Sequence, residues 1–193
     1  NEFTDSRTLT TLSASTFWRV HERIVKHPNA GSVLVDHILF GRIRHPAVRL
    51  DERWTYVEEK AAKSTKLSRA GRRSILSPTV SCDGRDFPKP ANAWKAREKL
   101  AARRDLEPAD VEVLALDARW AVRVHVLRFQ KVAPDLIIEM CAADEPAVIE
   151  EAILRKDCPD ELLQAHWNHP RSVIRERIAA KLCREPKRLP YVL

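Results

Sequence analysis

The chain has 193 residues, a length that gives one domain or two small ones with a sizeable core. Its composition, 44% hydrophobic and 32% charged, excludes a mainly disordered chain. With only 4 glycines beside 12 prolines, left-handed turns are too few for a hairpin-rich β-sandwich or barrel.

In chain order, the first predicted helix is carried by Val20, Ile24 and Val25. The spacing i, i+4, i+5 sets three apolar side chains on one stripe of an α-helix. The same spacing recurs at Val57/Ala61/Ala62, Ala96/Leu100/Ala101, Val122/Val126/Leu127, Val148/Ala152/Ile153 and Ile174/Ile178/Ala179. Successive first residues, here called anchors, lie 37, 39, 26, 26 and 26 positions apart. The two longer gaps read as the same unit with insertions near 40–50 and 77–91. The second insertion is rich in proline, contains Gly84, and reads as a long loop. A proline follows eleven or twelve positions past four of the anchors, as Pro108, Pro134, Pro159 and Pro186. Proline suits the first turn of a helix, so each unit reads as a helix, a turn and a shorter proline-initiated helix. Such a pair cannot bury its own apolar faces; stacked pairs can. The expected class is therefore all-α, a single α-solenoid domain over 1–193 of about six helix pairs. Its units are irregular over 18–76 and regular over 93–193. Leu127, Ile153 and Ile178 are expected in successive core layers.

The run from Asp117-Ala-Arg-Trp-Ala-Val-Arg123 through Val132-Ala-Pro-Asp-Leu-Ile-Ile138 resembles one unit of the leucine-rich repeat variant family. Ala143-Asp-Glu-Pro-Ala-Val148 and Asn168-His-Pro-Arg-Ser-Val173 repeat its opening. The resemblance implies a right-handed superhelix of α- and short helices, HEAT-like in shape. It implies no particular activity. One described member of the family has an iron–sulfur cluster in a cysteine-rich amino-terminal segment. The first 81 residues here contain no cysteine, so that feature is not carried over.

Four tryptophans, Trp18, Trp54, Trp94 and Trp120, stand two or three residues before their anchors. They are read either as side chains sealing neighbouring helix pairs or as an aromatic row for a partner or for bases. Asp51-Glu-Arg-Trp54 and Asp117-Ala-Arg-Trp120 are near copies, in which the Asp is read as an N-cap. Alkylpurine DNA glycosylases of HEAT-like fold combine Trp and Asp on a basic surface, but no motif here matches theirs beyond that fold-level likeness. His45-Pro46 and His169-Pro170 are read as turn dipeptides. His166 and His169, with Cys158 and Cys183 elsewhere, give no convergent ligand set, so no metal is expected. Cys82, Cys141, Cys158 and Cys183 contain no CxxC, and Cys158 and Cys183 are read as buried packing residues. Glu58-Glu59 and Glu150-Glu151 are read as solvent-facing. There is no GxSxG, P-loop, GxGxxG or HExxH, so no catalytic residue and no cofactor are assigned.

Charge is the informative signal. Residues 1–59 are neutral overall, 60–104 carry +10, and 105–193 carry −3. Lys60, Lys63, Lys66, Arg69, Arg72, Arg73, Lys95, Arg97, Lys99, Arg103 and Arg104 are expected to form one exposed, polyanion-binding surface. No run of about 18 apolar residues is present, so no membrane partner is expected. Asn1-Glu2-Phe3-Thr4-Asp5 has no basic or apolar leader character, and the cytoplasm is the expected compartment. The sequence thus reads as a non-catalytic α-solenoid that presents a partly basic surface to a protein or other anionic macromolecule. The alternative is a HEAT-like nucleic-acid-binding protein, conceivably a DNA-repair glycosylase. An enzyme-accessory or toxin-neutralising protein is a third class.

Overall fold

A computed structural model describes residues 4–15, 17–40, 53–82 and 85–185. The described residues form helices and one two-stranded hairpin, and they fall into two compact units, Asn1–Arg103 and Arg104–Leu193. No described helix is long and apolar enough to cross a membrane. The candidate insertion at 40–50 lies almost wholly outside the described residues, as do Asp51, His45-Pro46 and Pro186.

The first unit contains α1 (Ser6–Leu12), α2 (Trp18–Lys26), α3 (Ser32–Phe40), α4 (Trp54–Lys63), α5 (Arg69–Leu76), the hairpin and α6 (Trp94–Ala101). Asp5 starts α1 by accepting the Thr8 N–H at 2.7 Å, which holds its carboxyl below the usual carboxylate range. Helix α2 packs on α4 and α4 on α6, while α3 packs on α5. The predicted stripes meet there: Ile24, Val25, Val57, Ala61, Ala62, Ala96, Leu100 and Ala101 are all buried. Gly71 allows the α3–α5 approach, because a Cβ there would meet Leu67 Cδ1 at 2.5 Å and Asp36 Oδ1 at 2.7 Å.

The segment expected to be a loop is instead a hairpin. Strand β1 (Thr79–Cys82) pairs antiparallel with β2 (Arg85–Pro88), with Cys82 opposite Arg85 and Thr79 opposite Pro88. The chain leaving β2 supplies Lys89, whose Nζ meets Glu58 Oε1 at 2.8 Å and donates to Ser74 O at 2.6 Å and Ile75 O at 3.2 Å. Both side chains of this ion pair are at least 96% buried. Glu58 therefore does not face solvent as expected. It directly follows the anchor Val57, whereas Glu150 stands one position further past its own anchor, Val148.

The second unit contains α7 (Pro108–Ala115), α8 (Trp120–Phe129), α9 (Pro134–Cys141), α10 (Pro146–Leu154), α11 (Asp160–His166) and α12 (Ser172–Arg184). Proline opens α7 and α9 as expected, and Pro159 is the N-cap of α11. Helix α8 packs on α10 and α10 on α12. Leu127, Ile153 and Ile178 are buried in these contacts, whereas Ala179 is exposed.

The position after the anchor repeatedly ties its helix to the preceding connection. His21 Nε2 lies 3.0 Å from Ser13 O, Arg123 Nη1 donates to Asp117 O at 2.8 Å, and Arg175 Nη1 donates to His169 O at 2.6 Å. Buried carbonyls need such donors.

Candidate functional site

Part of the predicted basic set is committed to the fold. The last carbonyls of a helix lack intrahelical partners and carry the negative end of its dipole. At the end of α2, Lys66 Nζ donates to His27 O at 3.1 Å and also to Pro28 O. At the end of α4, Arg103 Nη1 donates to Ala62 O at 3.0 Å and also to Ser64 O. The second unit repeats the device. Arg155 Nη1 reaches Leu127 O and Gln130 O at the end of α8, and Lys181 Nζ reaches Arg155 O at 2.6 Å beyond α10. Arg103, Arg155 and Lys181 each stand seven residues past their anchors, a regularity the sequence contains and the charge count hides. Arg72, expected to be exposed, is 8% exposed. Lys63 pairs with Glu59 at 3.7 Å, and Lys99 with Glu98 at 3.2 Å.

The structure brings Lys60, Lys63 and Lys66 together with Lys26 and His27 around a hollow of about 450 Å³ where α2 and α4 end. The sequence reading missed Lys26, which comes from the electrically neutral stretch; its ammonium is bound to Glu22 at 2.6 Å. Lys60 makes no ion pair among the described residues. Arg69, Arg72 and Arg73 on α5, and Lys95, Arg97, Lys99 and Arg103 on or after α6, do not line this hollow. Arg104 belongs to the other unit.

The tryptophans open α2, α4, α6 and α8, yet their surroundings differ. Trp54 is buried against the His21 ring, with centroids 5.3 Å apart. Trp18 is half-buried, stacks on Tyr56 at 5.7 Å and carries the Arg19 guanidinium over its face. Trp94 is half-buried and Trp120 is 47% exposed. Trp18 and Lys26 stand at opposite ends of α2, roughly 12 Å apart along its axis. Asp117 is buried and accepts the Arg119 N–H at 2.8 Å, so it closes the turn ahead of α8 instead of capping the helix.

Asp144, His166 and His169 present ligand atoms within 4.8 Å of one another. The sequence reading had the two histidines but lacked Asp144, whose φ of 50° sits in the left-handed region. The hydrogen bonds decide what the cluster does. His169 Nδ1 accepts the Arg171 N–H at 3.1 Å, so its Nε2 bears the hydrogen and donates to Asp144 Oδ1 at 3.1 Å. A metal on Nε2 would need that proton moved to Nδ1, against the Arg171 N–H, so the cluster fits a metal poorly and acts as a clasp between turns. Burial lowers the His166 pKa, with Asp144 opposing and His169 reinforcing the shift. Among the cysteines, Cys141 and Cys158 are buried, and burial pushes the Cys141 thiol to about 12. Cys183 is exposed, contrary to its expected packing role. No protein-family model matches the chain, and neither a curated protein nor a solved structure does.

Proposed function

We propose that the chain is a non-catalytic helical-repeat module, an α-solenoid of the leucine-rich-repeat-variant kind, whose first unit holds an acidic segment of a protein partner. The solenoid reading is supported by helices that begin at Trp94, Trp120, Pro146 and Ser172, each 26 residues after the last. The binding reading rests on one observation, the hollow in which Lys60 and Lys63 stand beside Lys66, held by the end of α2, and Lys26, held by Glu22. Lysine ammonium groups on flexible stems suit carboxylates presented in no fixed geometry. A nucleic-acid partner is the second reading, favoured by the Trp18–Tyr56 stack and its Arg19, an arrangement on which bases stack. A glycosylase reading gains nothing from Asp117 and Trp54, both of them buried.

Fluorescence anisotropy with labelled oligoglutamate, single-stranded DNA and duplex DNA across a salt series separates these readings. Saturable, salt-sensitive binding of oligoglutamate in preference to DNA is the expected result. Preference for single-stranded DNA, lost on changing Trp18 or Tyr56 to Ala, favours the second reading. No binding of any probe at low salt removes both.

A further inference from the structure

A second basic site lies in the other unit, where the sum of charges conceals it. The groove between α10 and α12 encloses about 280 Å³ near the ends of the two helices. Its wall carries Lys156, Arg177, Lys181 and Arg184 against one carboxylate, Glu185. Lys181 is committed: it donates to Arg155 O at 2.6 Å and stands 3.5 Å from Glu185. Lys156, Arg177 and Arg184 are exposed and make no ion pair among the described residues.

The adjacent groove, between α8 and α10, provides the contrast. It also encloses about 280 Å³. There Arg128 holds Glu151 through Nε at 3.2 Å and Nη2 at 2.6 Å. Arg155 holds Asp157 through Nε at 2.8 Å and Nη2 at 2.7 Å, which keeps the Asp157 carboxyl below its usual range. Each of these guanidiniums already has a bidentate carboxylate. Among the described residues, the α10–α12 groove sets three cations without an ion pair beside a single carboxylate, Glu185, which stands against Lys181, and like charges gathered this way repel unless an anion joins them.

We propose that the α10–α12 groove binds a phosphate monoester. Two guanidinium forks, from Arg177 and Arg184, suit the oxygens of a phosphate dianion, and Lys156 adds a point charge. Leu154, 55% exposed, and Ala180 line the same groove and give the organic group of the ester an apolar rest. The site shares no residue with the lysine hollow of the first unit, so either reading stands without the other.

The test is calorimetry with amide NMR on the full chain at constant ionic strength and pH 7.5. The probes are inorganic phosphate, O-phosphoserine and phenyl phosphate. Saturable shifts at Leu154, Ala180 and Lys181 are expected, with phenyl phosphate tightest. Arg177→Gln with Arg184→Gln should weaken binding by about tenfold or more, while Arg128→Gln leaves it unchanged. Lys156→Gln should weaken it by a smaller factor and serves if the double variant fails to fold. Affinity should fall below about pH 6, where the monoester loses its second charge. Tighter O-phosphoserine than phenyl phosphate would place a phosphorylated protein in the groove, within the same ester class. Shifts that never saturate, binding of inorganic phosphate alone, or affinity unchanged in the variants would overturn the proposal.

Discussion

The two units solve the same packing problem with different charge. Asn1–Arg103 holds 20 basic and 11 acidic residues, and Arg104–Leu193 holds 14 and 16. Both stack successive helices through aliphatic stripes and both cap helix ends with a cation from further along the chain. The first unit adds an ion pair sealed in its interior, Glu58–Lys89, carried in by the segment that follows a hairpin. In the second unit the ion pairs stay at the rim: the Arg128 side chain is 50% exposed and that of Asp157 is 53% exposed. The comparison shows why net charge is a poor guide to a binding surface. Some of the first unit's excess is spent on carbonyls, and the acidic second unit still gathers three cations with no ion pair among the described residues along one groove.

The interior pair should dominate any stability comparison. Lys89→Ala would leave Glu58 buried without its counter-ion and the Ser74 and Ile75 carbonyls without that donor. It should cost about 3–5 kcal/mol, read by urea unfolding. Ile153→Ala tests the second unit's dependence on apolar layers and should cost about 2–5 kcal/mol; an unchanged midpoint would mean that the α8–α10–α12 layers carry little of the stability. The first unit should also respond to acid. Burial lowers the His21 pKa, so its contribution is complete above the unfolded value of about 6.5 and is lost as pH falls toward the folded value. Melting at pH 7.5 and pH 5.0 should show an acid loss, of at most about 1.4 kcal/mol per pH unit from this group, that His21→Gln reduces. At the other extreme, Arg128→Ala breaks a rim pair and should cost less than about 1 kcal/mol.

The helical stripes were legible because each is local, with apolar residues such as Val122, Val126 and Leu127 four or five positions apart. The Glu58–Lys89 pair was not, since its partners lie 31 residues apart and neither position is apolar. The hairpin carries a signal after all: Asp83-Gly84 stands between its paired strands, and that dipeptide favours a tight hairpin turn. Reading the segment by its prolines obscured it. The basic residues were found as a set, but a linear count cannot separate Lys66, bonded to the end of α2, from Lys60, which lines the hollow without an ion pair among the described residues. Lys26, Arg177 and Arg184 were missed because charge was summed over long blocks, 1–59 and 105–193, in which distant acidic residues cancel them; residues 171–188 alone hold seven basic and two acidic side chains.

The claim that the cations divide between holding the fold and holding a partner is tested most directly by the salt dependence of polyanion binding in Lys60→Gln with Lys63→Gln. With duplex DNA as the probe, each lost phosphate contact flattens the slope of log K against log salt by about 0.9. The double variant should therefore lose nearly two units of slope while its free energy of unfolding in urea stays within about 0.5 kcal/mol of the parent. An unchanged slope would contradict the assignment of the lysine hollow as the binding site.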